Sequence, residues 1–151
     1  MKKRFTFPAA ALLCLLLLAG CKDTGRLSAG FDTDAFSKAQ RIVVTDASGA
    51  ERAVLEEEAD IDAFVEALSV EGWHVKELPE GLQKGGAFTL FQTETVTALM
   101  DEQEAEVREI CTFQCYQDAP YLTIEVDIAD LSIPFSIPQE TADYLQSLLT
   151  E

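Results

Sequence analysis

The chain has 151 residues, with 27 Asp/Glu against 11 Lys/Arg and a formal net charge of −16. That balance argues against nucleic acid, which needs a basic footprint, and against acidic partners or anionic headgroups as docking surfaces. The length allows one domain plus a tether.

The first segment reads as an export signal. Lys2, Lys3 and Arg4 precede an almost unbroken apolar run from Pro8 to Leu18, and small residues then lead to a cysteine. Even counted from Phe5 to Gly20, the run falls short of the roughly 20 residues a transmembrane helix requires, and Lys22 and Asp23 follow at once. Leu18-Ala19-Gly20-Cys21 resembles the lipobox of bacterial lipoproteins, matching at all four positions. The resemblance implies cleavage before Cys21 and a thioether-linked diacylglycerol on its sulfur. Ala19 and Gly20 are small enough for an extended chain to enter a protease cleft, and two acyl chains hold a membrane firmly where one does not. Removing residues 1–20 takes three of the eleven Lys/Arg and none of the acids, so the mature chain carries −19.

Residues 21–40 carry Gly, Ser, Thr and Asp with few apolar side chains and read as the lipidated N-terminus and a flexible tether. Phe31 and Phe36 stand out there, as residues able to dock a short turn or helix onto the domain. The folded part is expected over 41–151. Arg41–Thr45 and Glu51–Leu55 flank an Asp46-Ala-Ser-Gly49 turn and predict a hairpin. Ile61, Phe64, Val65 and Leu68 form one stripe of a helix over about 60–69, with Asp60 as its N-cap and Gly72 just past its end. Five carboxylates between Glu56 and Asp62 suit the positive end of that helix.

Trp73 to Leu78 reads as a short strand before a Pro79/Gly81 loop, and Gly85-Gly86 as a turn. Phe88 and Leu90 alternate, as do Val96, Ala98 and Met100, which predicts a second hairpin through Gln92–Glu94. Asp101–Glu106 reads as an acidic, solvated loop or a fringe of the next strand. A turn at Gln117–Pro120 pairs the next two strands so that Phe113 meets Ile124, Cys115 meets Leu122 and Cys111 meets Val126. Thr112, Gln114, Thr123 and Glu125 then face outward, and a one-residue slip would destroy the sorting. Leu131, Ile133, Phe135 and Ile137 make a further strand, with Pro134 implying an edge or bulge. Pro138 opens a closing helix over about 138–149, striped by Ala142, Leu145, Leu148 and Leu149. The expected fold is α+β: a mostly antiparallel sheet of five to seven strands with two helices packed on it.

The opening strand Ile42-Val-Val-Thr45, Asp60-Ile61 at a helix start and the closing Ile137-Pro138-Gln-Glu-Thr-Ala-Asp-Tyr-Leu145 resemble small, poorly characterised lipoproteins of Gram-positive, clostridia-type bacteria. That likeness spans most of residues 41–151 and implies a fold and a compartment, without an activity.

Groups able to carry chemistry are few. Cys111 and Cys115 lie about 13 Å apart along a strand, beyond the roughly 7 Å a disulfide tolerates, so they read first as buried thiols, with a bulge-assisted disulfide or a metal or redox role as rarer outcomes. His74, the only histidine, lacks the spacing of a zinc site and reads as a structural or surface residue. Asp32/Asp34 and Asp60/Asp62 lack the glycine and closing glutamate of a calcium loop. Trp73, Phe88, Phe91, Phe113 and Phe135 read mostly as core. No catalytic residue, cofactor or resident metal is expected, and Cys21 is the one modification site. The reading is a membrane-anchored, extracytoplasmic, non-enzymatic protein-binding or accessory module for an envelope protein or basic partner. The alternative is a small-molecule or cation receptor, and third a hydrolase.

Overall fold

A computed structural model describes residues 33–93 and 106–151. At its centre is a seven-stranded antiparallel sheet in the order β2-β1-β4-β5-β6-β7-β3, with three helices, an α+β fold. In chain order the elements are α1 (Thr33–Phe36), β1 (Arg41–Asp46), β2 (Glu51–Leu55), α2 (Glu58–Ala67), β3 (His74–Val75), β4 (Lys84–Thr93), β5 (Val107–Tyr116), β6 (Tyr121–Val126), β7 (Leu131–Ser136) and α3 (Gln139–Thr150).

Period-two alternation gives the sheet one apolar face. Val44, Phe88, Phe113 and Ile124 stand opposite one another across β1, β4, β5 and β6, all of them buried. Ile61 and Phe64 of α2, Leu68 just past its end, and Leu145 and Leu149 of α3 close over them in a single core. The Phe64 ring lies 5.3 Å from Phe88 and 6.4 Å from Phe113. The pairs Phe113–Ile124 and Cys115–Leu122 form as expected, while the ladder to β6 stops at Thr112 and Cys111 faces Leu90 of β4.

The opposite face is polar and laced together. The hydroxyls of Thr89 and Thr112 meet at 3.0 Å, Thr112 lies at the same distance from the Glu109 carboxylate, and Gln114 donates to the Gly86 carbonyl at 2.8 Å. Thr123 belongs to this outward set but is buried, its hydroxyl meeting that of Tyr116 at 3.0 Å.

Several sequence expectations give way to packing. The tether expected over 21–40 gives way from Thr33 on, while the docking expected of Phe36 is met: α1 buries its ring, edge-on to Phe113 at 5.1 Å, and Ala39 follows it into the core. Asp60 does not cap α2; the helix starts at Glu58 after an extended Glu57 that makes no side-chain cap bond. It ends before Gly72, turning at Ser69 in the left-handed region (φ 45°) into a 3-10 turn at Val70–Gly72. The strand expected at Trp73–Leu78 shrinks to His74–Val75 because Trp73 is drawn into the core, where its indole donates to the Leu68 carbonyl at 2.7 Å.

Gly85-Gly86 is no turn between elements but part of β4, at a register shift opposite β5. Gly86 has φ 146°, and a Cβ there would sit 2.5 Å from Leu149 Cδ2 and 2.6 Å from the Thr45 carbonyl. The glycine lets the last turn of α3 rest on the sheet. Both edges of β4 are taken, by β1 and β5, which overturns its hairpin with Val96–Met100. Those three alternating residues lie outside the described ones, as does the Asp101–Glu106 segment up to residue 105.

Pro134 sits where a missing N–H does least harm. Its carbonyl accepts the Lys76 N–H at 3.1 Å, so its nitrogen faces the same β3 side, where the pairing is only two residues long. Pro138 stands just ahead of α3, which buries Thr141 alongside Leu145 and Leu149, with Ala142 and Leu148 half-buried.

Candidate functional site

Cys21, Cys14, Phe31 and Asp32 lie outside the described residues. Of the others weighed for chemistry, none converge. His74 is exposed on β3 opposite Ser136. Cys111 and Cys115 are free thiols buried on the core face of β5; burial pushes both up to about 12, helped at Cys111 by the charge of Glu109. Asp60 and Asp62 project from α2 into solvent, and Asp34 lies in the first turn of α1. Among the described residues, no group of three or more His, Cys, Asp or Glu is placed to hold a metal ion. Phe91 departs from the other aromatics, half-buried opposite Arg41 rather than in the core.

Two concave features draw on more than one element; a third, of about 530 Å3, is lined by the consecutive residues Glu106, Val107, Arg108 and Glu109 alone. One, of about 440 Å3, lies at the sheet end beside the Asp46 turn and the last turn of α3. The Asp46 carboxylate there is fully engaged by its own hairpin. It accepts from the Ser48 hydroxyl at 2.5 Å, from the Ser48 and Ala50 N–H groups at 2.8 and 3.1 Å, and from the Arg52 guanidinium at 2.9 Å. The Ser48 hydroxyl leads in holding its pKa down at about 2, against the opposing effect of desolvation, with the two N–H groups and Arg52 assisting. A carboxylate so satisfied braces a turn rather than meeting a ligand.

The other cleft, also about 440 Å3, opens one residue past the end of β2. The link from α1 to β1 forms one wall and the start of α2 the other. Glu56, Glu58 and Asp62 line it as carboxylates, and Ala39 and Ile61 give it an apolar floor. Arg41 reaches Glu56 at 3.2 Å, an exposed pair of little energetic weight. Lys38 is the one cation in the lining. The cleft continues directly from β2, whose outer edge carries no strand among the described residues. Open edge and acidic cleft together make the most developed binding feature among the described residues.

This site escaped the sequence because no local pattern encodes it. The carboxylates of Glu56–Asp62 were visible as helix-start charge, but the opposing wall depends on α1 folding back through Phe36. No family model, curated protein or solved structure matches this chain.

Proposed function

We propose that this chain is a membrane-anchored lipoprotein of the extracytoplasmic face, acting there as a non-enzymatic protein-binding or accessory module. The observation that carries the reading is the basic-then-apolar leader ending in Leu18-Ala19-Gly20-Cys21. A diacylglyceryl group on Cys21 supplies the two chains that stable anchoring takes, and the net −19 of the mature chain leaves attachment to the lipid rather than to charge. A sheet clad by helices on one face, with an edge strand whose outer side meets no other strand among the described residues, offers a protein partner backbone hydrogen bonds that need no catalytic set. The acidity favours a basic partner and disfavours nucleic acid.

Mass spectrometry of the N-terminal peptide from native membranes tests the anchor. Diacylglyceryl on Cys21 is expected, and an unmodified thiol with residues 1–20 still attached would overturn it. Photo-crosslinkers spread over the domain's surface test the binding role in the intact envelope; adducts to a protein are expected, and none from any position would end that reading.

A second reading rests on the cleft beside β2. Three carboxylates around an apolar floor suit a small organic cation. Saturable thermal stabilisation by amines, without any protein adduct, would favour it.

A further inference from the structure

The sheet has two edges, and they are built differently. β3 is two residues long and is followed by Lys76, so little backbone is on offer there. Short edges and lysines are how natural sheets prevent unwanted pairing. β2 has neither device. It runs five residues without proline, and its last three, Ala53, Val54 and Leu55, are half-buried rather than charged. The register irregularity that would twist an edge away is confined to its start, between Val44 and Thr45. Arg52, the one cation on the strand, is drawn to Asp46 at 2.9 Å. Glu51 and Glu56–Glu58 are exposed at its two ends, and the acidic cleft begins at Glu56.

We infer that the outer edge of β2 takes up an extended, basic polypeptide segment as an eighth strand, with a lysine or arginine side chain of that segment seated in the cleft at the end of β2. The inference rests on the protein-binding reading above and names its partner's chemistry. Main-chain hydrogen bonds along Arg52–Leu55 supply sequence-independent affinity, and alternate side chains supply selectivity. A long basic side chain lays its methylenes on Ala39 and Ile61 and brings its head to Glu56, Glu58 and Asp62. The exposed Arg41–Glu56 pair yields at little cost. A second copy of this chain is the wrong occupant, because pairing two β2 edges would bring Glu51 and Glu56–Glu58 of one copy against the same residues of the other. The −19 of the mature chain draws a basic segment in and drives a second copy away.

The test uses the full chain in neutral detergent micelles and a fluorescent peptide of alternating lysine and valine. Two further peptides carry N-methyl groups on every lysine amide or on every valine amide. Only one set of amides can face β2, so methylating that set abolishes binding while methylating the other leaves it intact. Hydrogen exchange of the Arg52–Glu56 amides slows in the complex. The combined substitution Glu56→Gln, Glu58→Gln and Asp62→Asn weakens binding about tenfold or more, as expected when three partly exposed charges are neutralised together. Equal binding of all three peptides, or unchanged exchange at β2, would overturn the inference, as would a free chain already dimeric through β2. Failure here, with protein adducts still forming from another face in the envelope, removes this inference alone; absence of adducts from every face removes the reading beneath it.

Discussion

At the scale of single residues, burial decides what Cys111 and Cys115 can do. Both thiols lie on the core face and are held up to about 12, so almost no thiolate exists near neutral pH. Native protein at pH 8 should leave both unlabelled by iodoacetamide, and unfolding without reductant should expose both; peptide mass spectrometry reads the two sites separately. A mass for the linked peptides would contradict the free pair. Asp46 illustrates the opposite case. Its folded pKa of about 2 lies below the ordinary 3.8, so it adds stability above that value which is lost as pH falls towards 2. Urea midpoints for Asp46→Asn should therefore sit below the parent protein's at pH 6, with the gap closing between about pH 4 and about pH 2. A gap that persists at pH 2 would mean the carboxylate's charge is not what braces the hairpin.

Elements are tied to one another through one carbonyl in particular. Leu68, at the end of α2, accepts from the Trp73 indole at 2.7 Å and from the Thr141 hydroxyl of α3 at 3.2 Å, and Thr141 also reaches Ala67 at 3.1 Å. These bonds satisfy carbonyls that a helix end leaves without partners. Thr141→Val keeps the shape but takes the donor from the Ala67 carbonyl and leaves that of Leu68 to the Trp73 indole alone, so it should cost about 1–3 kcal/mol in chemical denaturation. A cost near zero would show water replacing the hydroxyl. The β5–β6 register was legible in the sequence because alternation around the Gln117–Pro120 turn leaves a single sorted solution. The start of α2 was not, since Asp60 resembles a cap while Glu57, which occupies that place, makes no side-chain bond. Gly85-Gly86 misled for a related reason: what fixes Gly86 is the Thr45 carbonyl of β1 together with Leu149 of α3, some forty and sixty residues away in sequence, and no short window contains them. The candidate site was illegible on the same ground. That β2 is an edge follows from β4 pairing with β1 and β5, a property of the whole sheet.

Taken whole, the molecule is a sheet whose helical cover is assembled from three separated stretches of chain. The first of these begins before the hairpin, and Phe36 in it is 1% exposed. Phe36→Ala should therefore cost about 3–5 kcal/mol, as for other buried rings, despite lying in a stretch that composition alone makes a tether. A loss below about 1 kcal/mol, read from urea unfolding, would return α1 to the tether. The last stretch supplies Thr141, Leu145 and Leu149, the residues that press down on Gly86 and on the carbonyls of α2. A ribosome-bound chain that has emerged only as far as Ile137 thus has all seven strands and no lid for much of their greasy side. That side is sealed only once residues 139–150 have left the tunnel and docked, so the setting of the core waits on α3.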